Sequence, residues 1–138
     1  RPRFATDRRK KREATERFFT AITGGDINEL MELLAPEVTL WTDGGGKVRQ
    51  AMRPIIGIDN VARWIAGASA RPYEGVEIAD MAAEVVDING GPGIVLTGAG
   101  RVIATLTVDL DADGRIVTVH NVANPDKLHA VADGVKHI

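Results

Sequence analysis

The first stretch of the chain has apolar residues spaced as on one face of a helix. Apolar side chains recur every three or four residues over Ala14–Ile22, which predicts a helix over 7–22. Asp7 is the candidate N-cap of this helix, and Gly24 follows its end. Residues 1–6 are expected to be the tail of a preceding region, with the domain itself covering the rest of the chain.

Two further helices are predicted from their capping residues. Asp26 and Glu29 have the spacing of a capping box, so a second helix is predicted to begin at Asp26 and to end before Pro36. Asp59 is the candidate cap of a third helix, which ends before Arg71 because a proline follows that residue. The first two helices together form an αα-hairpin.

A two-residue period replaces the helical one in the remaining segments. Val38 and Leu40 face one side of a predicted strand while Trp41 faces the other. Helices that come before a run of strands indicate an α+β fold with a curved antiparallel sheet of four to six strands. A short helix is predicted over 127–132. The predicted strands are 37–42, 48–52, 76–79, 83–88, 94–99, 102–111 and 115–123.

His120 is the histidine of most chemical interest, because it lies in the middle of a predicted strand. A three-residue loop after Asp111 would place it opposite Leu106, on the covered face of the sheet. A two-residue loop would place it beside Thr107 and Asp109, on the wetter face. A histidine beside an acid can act as a general base, although a hydrogen-bonded structural histidine is the commoner case.

Composition excludes several classes of protein. The 138 residues are 44% hydrophobic and 26% charged, an ordinary globular mixture. No apolar run approaches the roughly 20 residues that span a bilayer, so no membrane association is expected. The chain has no cysteine, which excludes disulfides and cysteine-ligated metals. With only three histidines, two of them close to the end of the sequence, neither a metal nor a cofactor is expected.

Charge is unevenly distributed along the chain. Residues 1–12 hold seven bases and one acid, whereas the other 126 residues hold ten bases and eighteen acids. A basic arm on an acidic body can contact nucleic acid. A solvated helix start or a tail left from an upstream domain is the simpler explanation, because aromatic residues are not interleaved with the bases.

Two segments are unusual for turns, Asp43–Lys47 (Asp-Gly-Gly-Gly-Lys) and Asn124–Leu128 (Asn-Pro-Asp-Lys-Leu). Three consecutive glycines cost backbone entropy, and a plain hairpin needs only one or two. The first segment therefore suggests an adaptable contact loop or the close approach of another backbone. Trp41 and Trp64 are two of only six aromatic residues. They either pack in the core or line a pocket for an apolar ligand.

These two motifs, together with Arg1–Phe4 and Arg53–Gly57, resemble the C-terminal extension of a group of extracytoplasmic-function sigma factors that includes the SigJ type. In that group the extension is a SnoaL-like domain with the nuclear transport factor 2-like cone fold, and both motifs are hallmarks. The resemblance implies a curved sheet with about three helices on its concave side for residues 7–138. It also implies that the two motifs lie near one another.

The resemblance implies a non-catalytic, cytoplasmic domain that regulates a sigma factor in cis. Its partners would be the upstream sigma regions and, through them, the RNA polymerase core, with DNA contacted only by those upstream regions. The alternative is a ligand-binding or enzymatic SnoaL-like domain of the isomerase or cyclase type, with Trp41, Trp64 and His120 lining the pocket. The residues expected to carry the regulatory contact are Asp43, Gly44, Gly45, Gly46, Lys47, Asn124, Pro125, Asp126, Lys127 and Leu128.

Overall fold

Helices and a curved mixed sheet make up the computed structural model. It describes residues 2–43, 54–68, 77, 80–123 and 135–137. The described part holds three helices and seven strands, which confirms the predicted α+β class. In chain order the elements are α1 (Pro2–Gly24), α2 (Ile27–Leu33), β1 (Leu34–Asp43), β2 (Ile55–Ile56), α3 (Ile58–Ala68), β3 (Ala82–Ile88), β4 (Gly91–Gly98), β5 (Arg101–Leu110), β6 (Ile116–Val122) and β7 (Val135–His137).

The strand order across the sheet is β2-β1-β6-β5-β4-β3-β7. Every neighbouring pair is antiparallel except β1 and β6, which run parallel. The sheet therefore differs from the expected antiparallel one in this pair and in having more strands than expected. A parallel pair needs a long crossover connection, and the chain between β1 and β6, which includes α3 and the β3–β5 meander, supplies it.

The core joins all three helices to one face of the sheet. Phe18 of α1, Leu30 of α2 and Val61 of α3 belong to a single cluster with Leu40 of β1 and Val119 of β6. Each of these side chains is at most 2% exposed, and full burial of one such side chain contributes about 1.5–3 kcal/mol. Val38 and Leu40 are buried while Trp41 is exposed, which confirms the predicted division of these side chains between the two faces of the strand.

The helix ends test the predicted caps. The Asp26 carboxylate accepts a hydrogen bond from the Glu29 amide at 3.0 Å, so the predicted cap of α2 is confirmed. The predicted cap at Asp7 is wrong, because α1 already begins at Pro2. Proline suits the first turn of a helix, and the arginines and lysines that follow are good helix formers. The predicted cap at Asp59 is also wrong, since α3 begins one residue earlier.

The strands of the C-terminal half follow the predicted pattern. The strands predicted at 83–88, 94–99, 102–111 and 115–123 correspond to β3, β4, β5 and β6, with ends that differ by a few residues. The strands predicted at 48–52 and 76–79 and the helix predicted at 127–132 lie outside the described residues, apart from Glu77, which is in neither a helix nor a strand.

The turn between β4 and β5 contains an unfavourable residue. Ala99 and Gly100 have φ of 52° and 75°, the left-handed conformation that a two-residue hairpin turn requires. The turn between β3 and β4 has Asn89 and Gly90 at the same positions, with φ of 51° and 90°. A left-handed conformation costs an alanine roughly 1–2 kcal/mol, whereas asparagine tolerates it better.

We expect Ala99→Asn to raise the free energy of unfolding by about 0.5–1 kcal/mol, because asparagine relieves the left-handed strain. The measurement is thermal denaturation followed by circular dichroism, with Ala99→Val as the opposite control, since a β-branched residue is worse in this conformation. An Asn variant that melts below the parent protein would contradict the assignment of the strain to Ala99.

Candidate functional site

The residues from which the chain enters the two unusual motifs lie at the same end of the sheet. Asp43 is the last residue of β1, and Ala123 directly follows β6. The Ala123 amide donates to the Asp43 carbonyl oxygen at an N···O distance of 2.8 Å. Asp43 is the first residue of the Asp-Gly-Gly-Gly-Lys motif, and Ala123 is bonded to Asn124, the first residue of the other motif. We call this pair, Asp43 and Ala123, the shared edge.

The shared edge follows from the parallel pairing of β1 and β6. Leu40 pairs with Val119 and Asp43 with Val122, and both Leu40 and Val119 are 0% exposed. Their burial in one cluster fixes the register of the two strands. Because parallel strands point the same way, the chain leaves both strands at the same end.

Most of the first motif and the whole of the second lie outside the described residues. They are Gly44, Gly45, Gly46 and Lys47 in the first motif and Asn124, Pro125, Asp126, Lys127 and Leu128 in the second. The structure thus describes the residues from which the chain enters each motif. The proximity of the two motifs along their length stays a prediction.

A polar and aromatic face lies next to the shared edge. Trp41 pairs with His120 across β1 and β6, and His120 pairs with Thr107 across β6 and β5. Alternation turns these side chains away from the face that carries Leu40 and Val119. Trp41 is 49% exposed, an unusual position for a large aromatic side chain.

His120 on this face contacts an acid. Its Nε2 lies 3.1 Å from Oδ2 of Asp109. An ionised carboxylate oxygen only accepts hydrogen bonds, so Nε2 is the nitrogen that donates in this pair. The contact agrees with the second of the two predicted orientations, in which His120 shares the wetter face with Thr107 and Asp109.

The loop before β6 differs from the two-residue loop predicted to give this orientation. The Asp111 amide donates to the Arg115 carbonyl at 2.8 Å, which closes a three-residue loop. This loop alone would turn His120 to the covered face. The register shifts by one residue immediately after the loop, however, because Val117 of β6 has no partner on β5. This β-bulge places His120 opposite Thr107.

Lys11 of α1 is a member of this site that sequence reasoning missed. Its Nζ lies 3.5 Å from Oδ1 of Asp109, so Asp109 is shared by a lysine and a histidine. The side chains of Lys11, Asp109 and His120 are 36%, 53% and 44% exposed. Solvent screens such contacts, and each contributes about 0–1 kcal/mol to the free energy of unfolding. Lys11, Asp109 and His120 therefore form a surface ion-pair network that connects α1 to the sheet.

The three residues predicted to line a pocket occupy different settings. Trp64 of α3 is partly buried and packs against the core cluster, while Trp41 and His120 lie on the more open face of β1 and β6. A pocket shared by all three stays a prediction. Within the described ranges, no group of three or more His, Asp or Glu side chains could hold a metal ion. The described helices include none with the length and apolar character of a membrane span.

The chain is similar in sequence and in structure to known proteins. The sequence model of the SnoaL-like domain family matches residues 15–124. The ECF RNA polymerase sigma factor SigJ of Mycobacterium tuberculosis (strain ATCC 25618 / H37Rv) is 33% identical in an alignment of 124 residues that covers 83% of this chain and 38% of the sigma factor. The SigJ crystal structure superposes with a TM-score of 0.69 at 28% identity, covering 86% of this chain and 43% of that chain. The chain thus spans less than half the length of the sigma factor.

More distant structures share the fold alone. RV0760c from Mycobacterium tuberculosis, solved in complex with estradiol-17beta-hemisuccinate, has a TM-score of 0.60 at 14% identity and covers 85% of this chain and 95% of its own. A de novo designed protein with a curved β-sheet has a TM-score of 0.58 at 15% identity, covering 91% of this chain and 94% of its own. One architecture therefore serves proteins of different kinds, and a function must be argued from the site.

Proposed function

The chain belongs to the SnoaL-like domain family, and from that premise we propose that it is a non-catalytic regulatory domain of an alternative sigma factor. It acts in cis on the sigma regions of the same polypeptide and, through them, on the RNA polymerase core in the cytoplasm. The similarity to SigJ over most of this chain supports the association with a sigma factor.

The shared edge is the observation that carries the proposal. The hydrogen bond between Asp43 and Ala123 holds next to each other the two residues from which the chain enters the motifs. One surface can therefore present both motifs. In the sequence, the motifs contain ammonium donors at Lys47 and Lys127 and a carboxylate at Asp126. Charge-assisted hydrogen bonds of this kind are strong and directional, which suits a regulatory contact between domains.

The proposed mechanism is a shift of populations. Two arrangements of the upstream sigma regions exchange, and the domain favours the one that its motif surface contacts. The effect on transcription then depends on the difference between the contacts made in the two arrangements.

The alternative function, in a ligand-binding or catalytic SnoaL-like domain, would depend on the pair formed by Asp109 and His120. This pair has the residue types of an acid–base dyad. Its side chains are about half exposed, whereas acid–base chemistry gains from the exclusion of water. The regulatory function is therefore the better supported one.

We expect removal of this chain from the full-length sigma factor to change run-off transcript output, while the 138-residue chain alone neither starts transcription nor turns over a substrate. The first outcome follows from the proposed contact in cis. The second follows because the proposal assigns promoter reading to the upstream regions and makes this domain non-catalytic. Run-off transcription with and without the domain is the measurement. Equal output from the two proteins would overturn the proposal, and a loss of output caused only by His120→Ala would favour the alternative.

A further inference from the structure

The N-terminal half of α1 carries an exposed cluster of cations. Five consecutive basic residues, Arg8–Arg12, form what we call the basic cluster. Arg9, Lys10 and Arg12 are exposed, whereas Lys11 is partly buried and contacts Asp109. The cluster is therefore divided between one cation that faces the sheet and several that face solvent.

The packing of α1 fixes the direction of these cations. Thr15 and Phe18 are 0% exposed and Ala14 is 7% exposed, so this side of the helix faces the core. Lys11 lies one turn before Thr15, on the same side, while Arg9 and Arg12 project from other sides of the helix. The cations that face solvent are therefore held on a helix that cannot rotate freely.

The side chains of Arg9, Lys10 and Arg12 form no ion pair with another described residue, although Glu13 and Glu16 lie one turn further along α1. None of the hydrogen bonds or ion pairs of the described residues involves the side chain of Arg9, Lys10 or Arg12. Arg9, Lys10 and Arg12 lie within about 5 Å of helix axis, and like charges this close repel one another. An anionic partner of high charge density would relieve that repulsion.

Duplex DNA has the charge density that fits this cluster. It carries one negative charge per about 1.7 Å of its axis, so three to four phosphate charges fall within the length of the basic cluster. The rest of the chain has an acidic excess, which DNA repels. This asymmetry would orient the domain with the first half of α1 towards the duplex.

We infer that the basic cluster contacts the phosphate backbone of duplex DNA, without reading the base sequence. The inference rests on the proposed function, because that function brings the chain close to promoter DNA. It differs from the sequence expectation that DNA is contacted only through upstream regions. The contact would add affinity and orientation, since phosphate contacts position a protein and base contacts give specificity.

The same residues argue against two other anionic partners. A helix that lies on a membrane needs a free apolar face, but the apolar residues Ala14, Phe18 and Ala21 of α1 are buried in the fold. Single-stranded nucleic acid is bound largely by stacking on aromatic side chains, and no aromatic residue lies between Asp7 and Arg12. Contacts to the phosphates of a duplex, in contrast, require only cationic side chains.

The test is fluorescence anisotropy of a labelled 20-base-pair duplex of arbitrary sequence, titrated with the 138-residue chain. We expect a Kd on the order of 10⁻⁵ M at 50 mM salt. Neutralisation of three phosphates predicts an affinity loss of about 40-fold between 50 and 200 mM salt. Arg9→Gln with Arg12→Gln should lower the affinity at 50 mM salt by about tenfold and reduce the salt effect to about 3- to 4-fold.

The matched control is Arg63→Gln with Arg115→Gln. It removes the same charge from exposed positions outside α1, and it should leave both the affinity and the salt effect close to those of the parent chain. Glutamine is a good helix former, so the α1 variant keeps its helix, which far-ultraviolet circular dichroism checks.

Four outcomes would overturn the inference. They are no binding by the parent chain at 50 mM salt, equal losses in the two double variants, tighter binding to a 20-nucleotide oligo-dT strand, and binding only to phosphatidylserine vesicles. The assay contains no polymerase and leaves both motifs intact. Its failure is therefore distinguishable from failure of the proposed regulatory function, which only transcription measures.

Discussion

On the proposed regulatory function, alanine at both Asp43 and Lys127 of the full-length protein is expected to change run-off transcript output by roughly 5- to 150-fold. One motif starts at Asp43 and the other directly after Ala123, and the Asp43–Ala123 hydrogen bond puts these starting points side by side. A charge-assisted contact is worth roughly 1–3 kcal/mol. Loss of one such contact from one of two competing arrangements is enough to shift their equilibrium by the stated factor.

The control for this prediction is the double variant Asp113→Ala with Arg115→Ala. It also removes one acid and one base, but from the exposed loop that precedes β6, at the opposite end of that strand from Ala123. Its output should match that of the parent protein. Asp43 is partly buried, so melting curves of every variant must show that the fold is retained, and Asp43→Asn provides a milder substitution.

The regulatory interface would be refuted by folded variants of both motifs that transcribe like the parent protein. If Asp43→Ala alone has an effect and Lys127→Ala has none, the contact belongs to the first motif and the single-surface proposal fails. Equal effects of the motif variant and the control variant would indicate a general response to changed surface charge. These results distinguish the loss of a specific contact surface from the loss of the folded structure.

The features that sequence predicts well here are local ones. The N-cap Asp26 is visible because cap and capped amide are three residues apart. The alternation of Val108 with its neighbours along β5 is equally visible, since one buried face imposes a period of two. The turn at Asn89 and Gly90 carries its left-handed preference in its own residues. No distant residue is needed for any of these.

The candidate site depends on contacts that span the chain. Lys11 meets Asp109 across 98 residues of sequence, and no local pattern connects them. The orientation of His120 depends on the bulge at Val117, which has no signature in the residue types. The shared edge at Asp43 likewise needs the parallel pairing of β1 and β6, which the antiparallel pattern of the neighbouring hairpins conceals.

Phe18→Ala is expected to destabilise the domain by about 3–5 kcal/mol, the largest effect of any single substitution considered. The side chain is 0% exposed and belongs to the cluster that joins α1 to α2, α3 and the sheet. Its removal costs the transfer free energy of the ring and leaves a cavity. Domains of this kind are typically stable by about 5–15 kcal/mol, so the variant is close to unfolding.

Phe19→Ala is the matched control, because it removes the same side chain from the next position of the same helix. Phe19 is only partly buried, at the margin of the cluster, so the expected loss is smaller, about 1–2 kcal/mol. Thermal and urea denaturation of both variants measure the difference, and Phe18→Ala should lower the Tm by roughly 10–20 °C.

The comparison of Phe18 with Phe19 also tests the rotation of α1 about its axis. A larger loss at Phe18 confirms that the side of the helix with Lys11 and Thr15 faces the core, and hence that Arg9 and Arg12 face outward. Equal losses would mean that α1 is rotated from this position. The basic cluster would then lack the fixed outward orientation on which its contact with DNA depends.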